Sequence, residues 1–372
     1  MRKILINLFL ILSLNTSAQE ILSLKDRAEV IMKLQKDRLD NLLPSIMQKN
    51  DIDMWVLMTR EYNEDPVIKT MLPPTWLNAR RRTILVFSRN IQTGKFKSVA
   101  ITRYPFGNNI PSIWIKEEQP NQLKALSDYI EKENPKKIGI NFSKHESLSD
   151  GLSKNGFDEL YNSLPTKFQK RLVSAEKLSI AWIETRTNLE MTIFSKLVEI
   201  SNNIIKEAFS TKVITPGVTT TDDVVWWMRE KVIHMGIQTW FHPTVDVQRK
   251  DNSDLYAFDS KSKFDIIKPG DLLHCDFGIS YLTLNTDSQQ LAYVLRPEEK
   301  VPPNFLVNAL KEGNKVQDIF TNNFKEGFTG NQILKKSLKQ SFDQGLRPQI
   351  YTHPLGLFGH SAGTAFGMWD SQ

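Results

Sequence analysis

The sequence has one cysteine in 372 residues, so no disulfide can form within the chain. It has no apolar run of the ~20 residues that a transmembrane helix needs. It also has no long basic stripe with interleaved aromatics. Lys and Arg (48) outnumber Asp and Glu (42), for a formal net charge of +6, but these charges are scattered. The short clusters Arg80–Arg82 and Lys136–Lys137 read as solvated faces, and nucleic acid is not an expected partner. Internal repeats and low-complexity segments are absent. What is present is the composition of an ordinary folded protein, 40% hydrophobic and 24% charged, with 20 Phe, 8 Trp and 8 Tyr to fill a sizeable core. The length favours two domains.

The N-terminus carries a targeting pattern. Arg2 and Lys3 precede the apolar stretch Ile4–Leu14, which is broken only by Asn7 and Ser13, and small or polar residues follow through Gln19. A basic start, a short apolar core and small residues describe a secretory signal peptide. Residues 1–18 are therefore expected to be removed after Ala18, with export to the periplasm or beyond. The stretch is too short for a permanent membrane anchor, and no cysteine follows it to carry a lipid.

Residues 21–50 have helical spacing. Asp53–Arg60 (DMWVLMTR) reads as a short buried strand, and Pro66, Pro73 and Pro74 mark a loop. Thr83–Ser88 and Phe96–Arg103 read as paired strands, Gln122–Lys132 as a helix, and Lys137–Phe142 as another strand. This alternation predicts an α/β layer domain. Ser163–Leu178 is basic and mixed and reads as a connector, which puts the domains at 19–178 and 179–372.

Beyond it, Thr187 and Glu190 form a capping box for a long helix with an apolar stripe through Ile193, Leu197, Ile200, Ile204 and Ala208. Thr220 and Asp223 cap a second helix. Strand-like stretches follow from Thr239, then helices at Asn304–Phe320 and Gly330–Gln344. The second half therefore reads as α+β, with paired helices beside an antiparallel sheet.

Two stretches carry chemistry. Gly270–Val294 places Asp276 and Asp287 in a hairpin pattern of apolar, β-prone sequence. Facing strands bring opposed side chains to within ~5 Å. Two buried carboxylates that close repel, unless one holds a proton or a cation lies between them. Spacing alone separates neither case from a pair of solvated aspartates flanking a turn. Cys275, between His274 and Asp276, reads as a small buried hydrophobe rather than a reactive thiol. The other stretch is His353-Pro-Leu-Gly-Leu-Phe-Gly-His360. Pro354 and the glycines exclude a helix. The two imidazoles converge only if the chain bends at Gly356–Gly359, and the glycines would also admit a substrate backbone.

These stretches together resemble the pita-bread metallopeptidase superfamily of Xaa-Pro aminopeptidases, prolidases and methionine aminopeptidases, with creatinase as a metal-free cousin. Asp276 in GDLLHCDFG and Asp287 in LNTDSQQ match the metal carboxylates. His353 and Gly356 match the metal-histidine motif, and His360 matches the histidine that contacts substrate and assists proton transfer. DIDMWVLMTREYNEDP and KKIGIN resemble the superfamily's N-terminal domain. The resemblance implies a pita-bread catalytic domain, α+β in class, preceded by an α/β creatinase-like domain. It implies two divalent metal ions, with manganese favoured and cobalt, zinc or iron compatible. The implied activity is removal of the N-terminal residue from peptides, of the Xaa-Pro type, by metal-activated hydroxide. It also implies peptide substrates and a homodimer.

The sequence departs from the pattern in three places. The metal glutamates of the family follow the histidine segment, and no glutamate follows Glu326 here. A fragmentary metal centre with low activity is therefore expected, with a non-catalytic peptide-binding protein of the same fold as the alternative. The substrate-site histidine upstream of the first aspartate is replaced by the region of Phe258 and Asp259, which leaves His242 as the nearest candidate. Gln290 stands where the family often has arginine.

Overall fold

The computed structural model describes residues 21–90, 93–249 and 265–367. The expected signal peptide, and Phe258 and Asp259, lie outside the described residues.

A long, interrupted helix opens the described chain. Ser23 caps α1 (Leu24–Asp37) by accepting a hydrogen bond from the Asp26 amide. A π-helical turn (Arg38–Leu42) interrupts the helix, which continues as α2 (Leu43–Lys49). The elements β1 (Met54–Arg60), α3 (Pro66–Met71), β2 (Arg82–Arg89), β3 (Phe96–Ala100), α4 (Gln122–Glu133), β4 (Ile138–Ile140), α5 (Lys154–Ser163), α6 (Thr166–Gln169), β5 (Leu172–Ser174) and α7 (Glu176–Glu184) follow. They build a five-stranded mixed sheet in the order β3-β2-β1-β4-β5. The β1–β4 and β4–β5 pairs are parallel, and the other two are antiparallel.

The central strand explains why this sheet is covered on both sides. A strand buried on both faces reads as a continuous apolar run. In β1, Trp55 and Leu57 join Leu43, Met47, Ile68, Leu178 and Trp182 on one face. Met54, Val56 and Met58 join Leu126, Ile130, Leu160 and Phe168 on the other.

Two expectations are corrected here. Pro66 does not mark a loop: it starts α3, where the missing amide costs nothing, and Asp65 caps the helix by accepting from the Val67 and Ile68 amides. Ser163–Leu178 is not a connector: it forms α6, the edge strand β5 and the first turn of α7. The boundary expected at 178 thus falls inside α7, whose Leu178, Trp182 and Ile183 are part of the first domain's core.

The second half comprises α8 (Asn188–Ala208), α9 (Thr221–His234), β6 (Gln238–Thr239), β7 (Thr244–Gln248), β8 (Leu272–Phe277), β9 (Ile279–Tyr281), β10 (Leu284–Asn285), β11 (Ser288–Tyr293), α10 (Asn304–Asn322) and α11 (Gly330–Asp343). Both capping boxes form as the sequence predicts. The strands make two antiparallel three-stranded sheets, β11-β8-β7 and β10-β9-β6. Side chains alternate across a strand. Leu273, Cys275 and Phe277 of β8 are buried with Leu197, Ile200, Val224 and Met228 of α8 and α9. Leu272, His274 and Asp276 are therefore left on the opposite, more open face.

The halves are tied in several places. Val30 and Ile31 of α1 pack against the second core. Arg27 donates to the Gly236 carbonyl at 2.6 Å, and Arg38 meets Glu190 in a fully buried ion pair. In the other direction, Ala362 is buried in the first domain's core and Phe358 packs against it.

Candidate metal centre

β8 and β11 are the arms of the hairpin that the sequence predicts. Their register pairs Asp276 with Gln289, while Thr244 lies across from Asp276 on the other side. Between the arms the chain makes a smaller hairpin, β9–β10, whose turn holds Leu282 and Thr283 at φ 52° and 67°. Its return leg places Asp287 just ahead of β11. The Asp276 and Asp287 carboxyls lie close enough for their charges to repel. Burial first, then the Asp287 charge, push the Asp276 carboxyl up to about 7. Asp276 Oδ1 is buried and has no hydrogen-bond partner.

The histidine segment closes on this pair. The Gly356 amide bonds to the Phe358 carbonyl at 3.0 Å and the Ser361 amide to the Pro354 carbonyl at 3.1 Å, which folds the segment back on itself. The bend brings the His353 and His360 rings to 4.6 Å between centroids, at 80°. His353 Nδ1 lies 2.9 Å from the Pro354 carbonyl, and Nε2 lies 3.2 Å from Asp287 Oδ2. A nitrogen facing a carbonyl must donate, so Nδ1 carries a proton. The bond to Asp287 raises the His353 pKa, against the effect of burial. His360 is exposed, on the open side of the cluster.

Asp276, Asp287, His353 and His360 are thus brought together. His242 is not: it is exposed, with Nδ1 3.1 Å from Arg229 Nη1 and its ring 5.2 Å from that of Trp226. Cys275 is fully buried, and burial pushes its thiol up to about 12, as its reading as a hydrophobe requires.

The glycines do something the sequence did not announce. A Cβ on Gly356 would lie 2.7 Å from Arg186 Cζ, and one on Gly363 would lie 2.7 Å from Glu184 Oε2. A Cβ on Gly359 would overlap the Trp240 ring. Each glycine therefore admits one of the protein's own side chains, which is a more specific demand than room for a substrate. Sequence reasoning also passed over Asn285. Its backbone amide and its Nδ2 both donate to the Gly356 carbonyl at 2.9 Å, which pins the histidine segment to the hairpin.

Among the described residues, no set of three or more His, Cys, Asp or Glu side chains is arranged to hold a metal ion as it stands, and His353 is paired with Asp287. The donor chemistry nevertheless fits a divalent cation. Two carboxylates and an imidazole suit such an ion. One buried carboxylate oxygen lacks a partner. His353 holds Nδ1–H on a backbone carbonyl, the arrangement that directs Nε2 toward a metal.

Known proteins share this architecture. Residues 193–368 match the model of metallopeptidase family M24. The X-Pro aminopeptidase of Thermotoga maritima superposes with a TM-score of 0.61 at 15% identity, over 86% of this chain and 84% of that one. The Xaa-Pro dipeptidase of Bacillus anthracis gives 0.53 at 15% identity, over 92% and 84%. The prolidase of Pyrococcus horikoshii gives 0.53 at 16% identity, over 90% and 83%. No curated protein matches the chain. Likeness at such identities speaks for the fold, which is a pita-bread domain behind a mixed α/β domain. The family match spans residues 193–368, and the likeness in fold spans both halves of the chain.

Proposed function

We propose that this protein is a metal-dependent aminopeptidase acting on peptides of the Xaa-Pro type, and that Asp276, Asp287 and His353 are its metal ligands. The observation that carries this reading is the convergence of two carboxyls and one oriented imidazole within the stretch that matches the M24 family. The Xaa-Pro preference rests on the two-domain likeness to the aminopeptidase and prolidase structures.

Asp276 and Asp287 supply the negative charge that draws a divalent cation out of water, and His353 supplies a nitrogen donor. A cation held there would supply a Lewis acid for a peptide carbonyl and would lower the pKa of bound water from ~15.7 toward ~7. Manganese fits this oxygen-rich set, as do cobalt, iron and zinc. His360 is exposed beside His353, where it can donate a hydrogen bond to the oxygen of a tetrahedral intermediate or pass a proton to the departing nitrogen. Three protein donors would leave the remaining positions about a cation to water and substrate.

One observation favours the alternative, a peptide-binding protein of the same fold that works without metal: His353 already pairs with Asp287. Calorimetric titration with MnCl2, run alongside hydrolysis of an Xaa-Pro tripeptide, decides between them. The peptidase reading expects Mn2+ binding that Asp276→Asn abolishes. Peptide binding with no Mn2+ uptake would establish the alternative.

A further inference from the structure

Trp240 stands where the aspartate hairpin meets the histidine segment. Its indole Nε1–H donates to the carbonyl of Thr286, the residue before Asp287, at 2.7 Å. On the other arm, Gly278, two residues after Asp276, leaves the space that Nε1 and the Phe241 ring occupy. The Trp240 ring meets His360 edge-on at 5.2 Å and 76°, and lies 6.5 Å from His353 at 78°. Phe241 braces it at 4.4 Å. Gly359, the residue before His360, packs so closely on the indole that any side chain there would overlap it. One side chain thus touches both aspartate arms and the segment carrying both histidines.

Among the described residues, two other polar ties join hairpin and segment. One is the pair of Asn285 bonds to the Gly356 carbonyl, which lies on the segment's far side. The other is the direct His353–Asp287 contact, which would give way if both residues turned to a shared cation. The indole contact would survive that change, because it uses a backbone carbonyl, a ring and a glycine rather than the ligating atoms.

We propose that Trp240 is the positioning residue of this site, holding His353 and His360 in place against Asp276 and Asp287 when a divalent cation is bound. The proposal rests on the metal-centre reading above. Groups that orient metal ligands typically change metal affinity by ~10–100-fold when removed.

The test is Mn2+ affinity, by calorimetry on the full chain, for the wild type, Trp240→Ala, Trp240→Phe, Gly359→Ala and the double variant Trp240→Ala/Gly359→Ala. Thermal melts serve as the control for folding. Trp240→Ala should weaken binding ~10–100-fold, and Trp240→Phe, which keeps a ring but loses the bond to Thr286, should recover part of the loss. Gly359→Ala should also weaken binding, because its new methyl group displaces the indole. In the double variant the methyl group finds room, so affinity should be no worse than in Trp240→Ala alone. If the two single losses multiply instead, or if the Trp240 variants bind within about twofold of the wild type, the proposal is wrong. If Trp240→Ala does not fold, the Trp240→Phe result decides alone. Asp276→Asn separates the two levels of the argument. Unchanged Mn2+ binding there, or none by the wild type, removes the metal-centre reading and this inference with it. Lost binding there, beside unaffected Trp240 variants, removes only this inference.

Discussion

Replacing Glu190 with alanine is expected to destabilise the protein by ~4–6 kcal/mol. Glu190 is 1% exposed and performs two tasks. Its Oε2 accepts from the Thr187 amide at 2.8 Å, closing the capping box of α8. Its two oxygens also take Arg38 Nη1 at 3.0 and 2.9 Å, and Arg186 Nη1 lies 3.7 Å from Oε1. Arg38 is 3% exposed, sits 4.3 Å over the Trp182 ring, and donates to the Thr185 and Trp182 carbonyls. Burial pushes its guanidinium down to about 10 even with Glu190 opposing the shift. Deleting the carboxylate leaves the buried Arg38 guanidinium without its ion-pair partner, and leaves Arg186 with Glu184 alone. Breaking a buried pair from one side costs ~3–5 kcal/mol, and losing a cap adds ~1 kcal/mol. The total approaches the ~5–15 kcal/mol by which folded proteins are stable. Urea unfolding, followed by circular dichroism and tryptophan fluorescence, measures it. Glu190→Gln keeps the shape and an acceptor and should lose less. Arg38→Lys should be damaging despite its charge, because an ammonium cannot reproduce the fork or the stacking. A loss below ~1 kcal/mol for Glu190→Ala would mean that the two arginines are compensated by something other than this carboxylate.

Two further outcomes follow from the same structure. The Asp276 carboxyl is raised to about 7 from an ordinary 3.8, and His353 is raised as well. Groups raised in the folded state lend stability below their unfolded pKa and lose it as the pH climbs through the folded one. In EDTA, the urea midpoint should therefore fall as the pH rises from about 4 to about 7, and Asp276→Asn should flatten that slope; equal slopes for the wild type and Asp276→Asn across this range would contradict the coupling. Cys275, fully buried with its thiol pushed up to about 12, should resist Ellman's reagent in the native protein and react fully in urea, whereas fast native labelling would place it at the surface.

The features legible in the sequence are those written in local chemistry. Both capping boxes are four-residue statements, and they form as read. The apolar run of β1 announces a strand buried on both faces, and the two aspartates announce a hairpin. Local chemistry hides what depends on distant partners. Ser163–Leu178 looks like a solvated connector because of its lysines and arginines, but Phe168 and Leu178 are buried in cores supplied by other elements. Arg38 lies in a run of charged helical residues, and its burial depends on a glutamate 152 positions away. The β9–β10 turn escapes notice because Leu282 and Thr283, rather than glycine or asparagine, adopt positive φ there. Trp240 has no local signal either, since its role arises only when Gly278, Thr286 and Gly359 meet around it.

The histidine segment shows why the stretch that matches the family is not by itself the unit that builds the site. The match begins at residue 193. Yet Gly356 and Gly363 are shaped around Arg186 and Glu184, and Ala362 lies in the core that Trp182 and Ile183 share with α2 and β1. The bend that aims His353 at Asp287 is thus supported on one side by the aspartate hairpin and on the other by the end of α7 and the turn into α8. Arg186 in turn shares Glu190 with Arg38, which sits in the π-helical turn near the start of the described chain. A continuous line of contact therefore runs from that turn through Glu190 and Arg186 to Gly356, three residues from the proposed metal histidine. In this protein the α/β domain is part of the mould in which the site is formed, and not merely an appendage to the half that carries the aspartates and histidines.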